Sequence, residues 1–453
     1  MESTVKFASN FTSGSPRTAR IKRNVALSFV LRSTQIVAGL LLVPLTLNYL
    51  DATGYGIWLT LSSIVGWFRL FDVGLGNGLR NRLAEALAKG DEQVARAYIS
   101  TAYFSVLLVS AAGFLMFVGI NCFLNWSSIL NATAVANGDL RLLALYVFGF
   151  FFLRLVLQLL NSIFYAIQEP ALNDLMGTIG QLLNLLLVFV LVKTTSNSLL
   201  YLGISYSVAP VFVIFLGSLL AFSYRLKNYR PSLGWFRRAY LKDILGLGGK
   251  FFLLQICGVV LYSTDNVIIA QIFSPKEVTP YQIANRYFGM VLMGFVVVVT
   301  PFWSAITEAF VKRDFAWIKR GMRKLVRLWY WAAALLVIML LFSTDAFRVW
   351  VGNKVRIPFV LSLVWALFVA VQTMNAIFTN FINGTGFIKL QLYVALGAAV
   401  ANIPLSIVLA KFTSLGVAGV IAATLATQVI ALWLAYYQYK VIMTGGARGI
   451  WAA

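Results

Sequence analysis

The chain contains few of the residues with which proteins usually build a chemical site. Histidine is absent, which removes the commonest metal ligand and proton shuttle of proteins. Only two cysteines occur, Cys122 and Cys257, so we expect neither a disulfide framework nor a cysteine metal site. The sequence also offers no paired carboxylates and no DxD-type motif. We therefore predict no catalytic residue, no metal site and no cofactor.

Charge is scarce as well, and its signs are unequal. Charged residues make up 11% of the chain and apolar residues 60%, whereas a soluble domain carries about 25% charge. Apolar segments of about 20 residues or more recur along the whole length, which predicts an all-α polytopic membrane protein. The 37 basic residues against 15 acidic ones would suggest nucleic acid for a soluble chain. Here their positions follow a membrane topology, and we expect no nucleic acid.

The apolar segments predict about twelve transmembrane helices. An even number of spans places both termini on one side of the membrane. Far more of the Lys and Arg residues outside the spans lie on that side than on the other, so the positive-inside rule predicts cytoplasmic N- and C-termini. The predicted spans are 24–50, 55–79, 97–121, 140–166, 171–192, 199–222, 244–273, 279–308, 325–345, 357–383, 388–410 and 415–440.

The two halves of the chain repeat each other. The segment 83–97 (LAEALAKGDEQVARA) is echoed by 306–320 (ITEAFVKRDFAWIKR), and Asn184 in span 5 matches Asn402 in span 11. Six spans in each half, entering from the same side, predict two pseudo-symmetric six-helix lobes. The predicted parts are a cytoplasmic N-terminal tail (1–23), an N-lobe (24–222), a basic cytoplasmic linker (223–243), a C-lobe (244–440) and a cytoplasmic C-terminal tail (441–453).

Five cations lie away from the ends of the predicted spans, where a charge that faces lipid costs at least a few kcal/mol. They outnumber the three acids that lie inside the spans in the same sense, Asp72, Asp174 and Asp265. This excess predicts a central cationic cavity between the lobes that binds an anion. Arginine suits phosphate because its planar guanidinium stays charged and forms paired hydrogen bonds. The predicted phosphate-binding cations are Arg154, Arg32, Arg69, Arg286 and Lys250.

Amides in the middle of the spans share helical stripes with these cations and predict a polar cavity lining. Contact between helices is an alternative, because Asn and Gln often hydrogen-bond neighbouring spans. Ion pairing is a second alternative, for Arg69 with Asp72 and for Arg286 with Asp265. Contact with lipid headgroups is a third alternative, for Lys250 and Arg32, which lie nearer the membrane surface. The predicted lining residues are Gln35, Gln158, Asn161, Gln181, Asn184, Asn285, Gln372 and Asn375.

The segment 71–91 (FDVGLGNGLRNRLAEALAKGD) is rich in glycine. It lacks the preceding strand and the lysine pattern of a phosphate-binding loop, so we interpret the glycines as sites where span 2 bends or packs closely near the cytoplasmic surface. The matching place in span 8 carries a proline. The predicted gate or hinge residues are Gly74, Gly76, Gly78 and Pro301.

This motif, the duplicated halves and the basic interior together resemble the polysaccharide transporter family. Its members are Wzx-type flippases of the multidrug/oligosaccharidyl-lipid/polysaccharide superfamily. Weaker echoes of the family pattern occur at 50–58 (LDATGYGIW) and 383–403 (NGTGFIKLQLYVALGAAVANI). The resemblance implies two lobes that alternate access to a central cavity in the bacterial inner membrane. It also implies an undecaprenyl-diphosphate-linked oligosaccharide as the substrate in O-antigen lipopolysaccharide biosynthesis.

Such a transporter would have further partners besides membrane lipids. Because a buried carboxylate can exchange a proton or bind sodium, the candidates for coupling to H⁺ or Na⁺ are Asp72, Asp265 and Asp174. Polymerase and chain-length proteins of the same pathway are candidate protein partners.

Three other functions compete with this prediction. A membrane-embedded glycan polymerase or ligase is the main alternative. Such enzymes generally carry a long external loop for their chemistry, whereas no predicted external loop of this chain exceeds about 20 residues. A lipid II-type flippase of the same superfamily would generally have fourteen spans. A multidrug exporter shares the superfamily, but interior cations would repel cationic drugs.

Overall fold

The computed structural model describes residues 16–68, 75–133, 135–167, 169–244, 256, 259 and 263–452. Nearly all of these residues are helical, and no strand occurs among them. The main helices are α1 (Pro16–Trp67), α2 (Leu75–Ala88), α3 (Glu92–Asn121), α4 (Asn137–Leu157), α5 (Leu159–Ala166), α6 (Pro170–Thr194), α7 (Leu199–Leu220), α8 (Asp265–Ile272), α9 (Pro275–Val311), α10 (Phe315–Leu341), α11 (Ser343–Val351), α12 (Phe359–Thr385), α13 (Lys389–Phe412) and α14 (Ala418–Met443). Short helices and turns occupy Trp126–Ile129, Ala221–Arg225, Lys227–Tyr229, Leu233–Trp235, Gly352–Lys354 and Gly449–Ala452.

Ten helices within the described residues are long and apolar enough to cross a membrane, and the first contains two spans. Its apolar part, Leu27–Trp67, has 41 residues and would be about 60 Å long if straight, twice the hydrocarbon thickness of a bilayer. Asp51 interrupts it with a φ of 74° and a ψ of 179°. The prediction of an all-α multi-pass membrane protein is confirmed. Predicted span 7 lies mostly outside the described residues, and α8 forms its end.

Side-chain contacts fix the direction of the first two spans. Tyr49 near the end of the first span meets Thr195 at the end of α6, and Arg32 meets Asp174 at its beginning, so the span runs parallel to α6. After Asp51 the chain turns back along α4. We call the side on which α1 begins and α14 ends the terminal face, and the side of the Asp51 turn the distal face.

The predicted repeat is visible as one turn that occurs twice. The amide of Asp91 donates to the carbonyl of Ala86, and the amide of Asp314 donates to that of Ala309. Each aspartate then caps the next helix: Asp91 accepts from Val94 N–H at 3.0 Å, and Asp314 accepts from Trp317 N–H at 2.9 Å. The same local sequence thus ends α2 and α9 and begins α3 and α10.

One difference between these turns leads to a stability prediction. Gly90 takes a left-handed φ of 74° in the first turn, and Arg313 takes a φ of 57° in the second. A side chain there costs roughly 1 kcal/mol. Replacing Arg313 with Gly should therefore raise the free energy of unfolding in micelles by up to about 1 kcal/mol, and Gly90→Ala should lower it by a similar amount. Equal stability of both variants and the parent would contradict this assignment.

The two lobes meet on the distal side and again at Trp67, whose Nε1–H donates to the Ser263 carbonyl at 3.1 Å. Thr279 Oγ1–H donates to the Ala52 carbonyl at 2.6 Å, Asn266 Nδ2–H donates to Ser63 Oγ at 2.7 Å, and Lys354 donates to the Asn48 side chain at 2.6 Å. One continuous apolar core includes the N-lobe and the distal half of the C-lobe. The terminal half of the C-lobe has a separate core, which includes Phe295, Ile318 and Phe381.

Glycine allows the closest of these approaches. A Cβ atom at Gly56, just after the Asp51 turn, would overlap the carbonyl oxygen of Pro275 at the start of α9. The backbones of the two lobes therefore touch directly on the distal side. In the described part of the chain the two bundles are thus joined directly on the distal side, and the terminal half of the C-lobe has its own core.

Candidate functional site

A cavity of about 450 Å³ lies inside the N-lobe beside Arg154. Its walls come from the second span of α1, from α4 and from α7. They combine one cation with indole and phenol rings, hydroxyls and an amide, the groups that bind a phosphate and a sugar ring. The polar and aromatic lining includes Trp58, Ser62, Phe151, Arg154, Gln158, Tyr206 and Ser207.

Irregular helix geometry makes room for the cavity. The helix of span 4 is interrupted at Gln158, which lies between the end of α4 and the start of α5. Pro210 lies inside α7, where its ring cannot donate a backbone hydrogen bond and disturbs the preceding turn. Both residues line the cavity. The opening therefore forms where two neighbouring helices depart from regular packing.

The polar stripe of span 1 faces the polar stripe of span 5. Arg32 Nε–H donates to Asp174 Oδ1 at 3.1 Å, with half of the arginine side chain exposed. Gln35 Nε2–H donates to Thr178 Oγ1 at 3.0 Å and to the Asp174 carbonyl at 2.9 Å. The Gln181 amide lies beside Gly39. These contacts join α1 to α6.

Arg286 in α9 reaches across to the N-lobe. Its Nη1–H donates to the carbonyl oxygen of Gly39 at 3.1 Å. Asp265 accepts instead from the Tyr281 hydroxyl at 2.5 Å, so the Asp265–Arg286 ion pair considered from the sequence is not formed. Arg286 also lies within electrostatic range of the Tyr206 hydroxyl, although it is not one of the residues that line the cavity of Arg154.

Asp265 is the acid of the C-lobe that the structure describes inside the membrane. It is buried, with 6% of the residue exposed. The Tyr281 hydroxyl holds one carboxylate oxygen, and the other, Oδ1, has no hydrogen bond. By contrast, Asp174 has the guanidinium of Arg32.

Asn285 belongs to a chain of amides at the lobe interface. It donates to Gln282 at 3.1 Å, Gln282 donates to Asn266 at 2.7 Å, and Asn266 reaches Ser63 of the N-lobe. The sequence analysis did not select Gln282 or Asn266. The sequence does contain a signal for Gln282, because this residue lies one helical turn before Asn285 and therefore on the same side of the helix.

The remaining predicted lining amides lie mainly between helices. Asn184 accepts from Ser205 at 3.2 Å, and its repeat mate Asn402 donates to Thr424 at 2.9 Å. Asn375 donates to Gln428 at 2.9 Å. The Asn161 carbonyl accepts from Asn173, and Gln372 is half-buried in α12. Among these amides the helix–helix alternative describes Asn184 and Asn375 best.

The predicted hinge lies partly outside the described residues, as do Arg69, Asp72, Gly74 and Lys250. Gly76 and Gly78 lie in α2 rather than in a break. A Cβ atom at Gly78 would collide with the Ile244 carbonyl, so close packing explains that glycine. α9 is continuous through Pro301, and hinge motion there stays a prediction.

Comparison with known proteins places the chain in a family. A model of the family described as "Polysaccharide biosynthesis protein" matches residues 21–306. The "Putative O-antigen export protein" of Yersinia pseudotuberculosis is 20% identical over 60% of this chain and 62% of its own length. The "Putative O-antigen transporter" of Salmonella typhi is 21% identical over 63% of this chain and 65% of its own length. The matched segment thus spans less than two thirds of these relatives.

Solved structures identify the fold. The inward-facing conformation of a multidrug resistance MATE family transporter of the MOP superfamily superposes with a TM-score of 0.73 at 14% identity, covering 92% of this chain and 95% of that one. At this identity the likeness concerns the fold. The chain therefore has a MATE-type two-lobe fold and belongs to the polysaccharide biosynthesis protein family.

Proposed function

We propose that this protein moves an undecaprenyl-diphosphate-linked oligosaccharide from the cytoplasmic to the periplasmic leaflet of the bacterial inner membrane. The observation that carries the proposal is the cavity of Arg154, in which a cation, two aromatic rings and hydroxyls meet inside the membrane. The family membership and the O-antigen transporters among the relatives support the same class of substrate.

The parts of the cavity match the parts of such a substrate. A diphosphate needs charge-assisted hydrogen bonds, which Arg154 can supply from the wall of the cavity. A pyranose ring presents C–H groups to the rings of Trp58 and Tyr206, whose centroids are 5.2 Å apart, and its hydroxyls can bond to Ser62 and Ser207. The prenyl chain, which is apolar, remains in the lipid between the lobes.

The way the lobes meet supports alternating access. The distal contacts hold the lobes together on one side of the membrane, and the terminal half of the C-lobe packs around a separate core. The excess of Lys and Arg on the terminal face supports a cytoplasmic location for that face. In this conformation the substrate enters from the cytoplasmic leaflet, and it leaves after the distal contacts separate and the terminal halves close.

Asp265 is our candidate for the coupling residue. A carboxylate is costly to bury without a cation, and Asp265 is held by a neutral tyrosine hydroxyl. Binding of H⁺ or Na⁺ would compensate its charge. Asp174 is already compensated by Arg32. Because Tyr281 and Asn266 link this region to the lobe interface, loading of Asp265 can influence the distal contact.

Exchanging Asp265 for Asn should therefore uncouple transport. We expect the response of the transport rate to an imposed proton or sodium gradient to fall roughly tenfold or more, the range of ordinary coupling free energies. The measurement is the rate of transport in proteoliposomes with and without each gradient. Asp174→Asn is the matched control and should keep the response. An unchanged response in Asp265→Asn would exclude this residue.

The function itself can be tested in cells and in vesicles. Cells that lack the protein should accumulate the lipid-linked oligosaccharide in the cytoplasmic leaflet, and purified protein should move it across proteoliposomes. Normal delivery of the oligosaccharide to the periplasm in deletion cells that have no second transporter would refute the proposal. Polymerised glycan made by the purified protein alone would favour a membrane-embedded polymerase.

A further inference from the structure

We propose that the C-lobe binds anionic phospholipid headgroups on a basic face of α10 at the terminal side of the membrane. The basic face consists of Lys319, Arg320, Arg323, Lys324 and Arg327, all of which are exposed. The proposal goes beyond the transport function and does not depend on the identity of the substrate.

Helical periodicity directs this face away from the protein. Ile318, Met322 and Leu325 on the opposite side of α10 are buried in the separate core of the C-lobe. At 100° per residue the five cations fall within less than half of the helix circumference. They therefore form one stripe on the side of α10 that points away from that core.

The same stripe faces lipid further along the helix. Tyr330, Trp331, Ile338 and Leu341 lie on the side of α10 that carries the cations, and more than half of each is exposed. Exposed Tyr and Trp mark the boundary between hydrocarbon and headgroups. The basic face begins one turn beyond this boundary and so continues the lipid-facing surface into the headgroup layer. The bilayer, rather than the cleft, is its neighbour.

The dimensions fit a lipid leaflet. From Lys319 to Arg327 the helix rises about 12 Å. The headgroup region adds about 5–7 Å on each side of the hydrocarbon core, and the Debye length at physiological ionic strength is about 8 Å. All five cations are therefore close enough to attract phosphate groups of one leaflet.

The repeat shows that this face is special to the C-lobe. The matching positions in α3 include Arg96, Ser100 and Thr101, and there the linker covers them. Ser100 accepts from Ser232 N–H at 3.2 Å, Thr101 accepts from Arg237 N–H at 3.1 Å, and Arg96 lies over the ring of Trp235. In α3 protein occupies this face, and only one of its five positions is basic.

The charge of the basic face is not neutralised by neighbouring acids. Of the ion pairs formed between described residues, none involves one of its five cations. The acid nearest in sequence is Asp314, which caps the first turn of α10. Arg323 Nε–H bonds weakly to the Lys319 carbonyl at 3.4 Å, which still leaves its charge directed outward. The phosphate groups of anionic lipids carry the opposite charge and can therefore bind to this face.

The test compares two triple variants of the full chain. Arg320→Gln, Arg323→Gln and Lys324→Gln together remove three charges from the basic face. The control, Lys227→Gln, Arg238→Gln and Lys242→Gln, removes three exposed charges from the linker at the same face of the membrane. Binding of phosphatidylglycerol and of phosphatidylcholine is measured on the purified proteins by native mass spectrometry.

We expect the first variant to lose roughly a hundredfold in its preference for phosphatidylglycerol, about fivefold for each charge near an anionic surface. The control should keep that preference, and added salt should reduce it in the parent. Lys324→Gln alone, with an expected loss of about fivefold, serves if the triple variant does not fold. Retained preference in the first variant, an equal loss in the control, or a selective loss of undecaprenyl diphosphate binding would overturn the proposal.

Discussion

Replacing Arg154 with Ala should abolish transport of the lipid-linked oligosaccharide while the protein still folds. The variant removes the cation that lines the membrane cavity. Two charge-assisted hydrogen bonds to a diphosphate contribute about 3 kcal/mol or more, which corresponds to a loss of at least about a hundredfold. Arg154→Lys keeps the charge but not the paired geometry and should retain part of the activity.

The measurement for Arg154 is the transport rate of a defined lipid-linked glycan in proteoliposomes, with thermal unfolding of each variant as the folding control. Arg141→Ala is a suitable comparison, because Arg141 belongs to the same helix but bonds to a backbone carbonyl at the distal loop. Wild-type transport by a folded Arg154→Ala protein would remove Arg154 from the substrate site. An equal loss in both variants would point to damage to α4 instead.

Replacing Gly56 with Ala should keep the distal side of the transporter from closing. The added methyl group would overlap the carbonyl oxygen of Pro275. Because this oxygen belongs to the backbone and the methyl group is attached directly to it, neither can rotate out of the way as a long side chain could. The lobes must then separate distally. We expect the population of the distal-closed conformation to fall more than about tenfold, the effect of a cost above about 1.4 kcal/mol, and the transport rate to fall with it.

The conformation of the Gly56 variant can be measured with a pair of spin labels. Asn48 and Lys354 are exposed, and their side chains meet across the distal contact, so cysteines at these positions report its opening. The distance between the labels should increase in Gly56→Ala. Gly138→Ala is the control, because nothing lies within 4 Å of a Cβ atom there. A closed distal contact with normal transport in Gly56→Ala would show that the packing tolerates a side chain.

The architecture could be predicted from the sequence because its causes are local. Long apolar segments determine spans, and the repeated segments form the same turn, with Asp91 and Asp314 as matching helix caps. The cationic stripes also include Arg154, which lines the cavity of the N-lobe. Each of these signals needs only residue types and helical spacing.

The details of the site depend on partners that the sequence does not reveal. Arg286 bonds to the backbone carbonyl of Gly39, and every residue has such a carbonyl, so no pattern singles it out. None of the predicted site residues lies in span 6, yet Tyr206, Ser207 and Pro210 line the cavity. A hydropathy profile does not distinguish these three residues clearly from the apolar residues around them. Amides such as Asn184 serve contacts between helices, because burial within protein and exposure to a cavity favour the same residue types.

The two lobes share an apolar core on the distal side, so separation of the lobes on that side would expose part of the core to water. When the lobes part distally, residues such as Leu47, Ile57 and Val278, now buried, come into contact with water or substrate. Exposure of apolar surface raises the heat capacity by about 0.45 cal/K/mol per Å². The enthalpy of this step therefore changes with temperature. The transport rate of the protein should accordingly give a curved rather than a straight Arrhenius plot wherever distal opening limits the cycle.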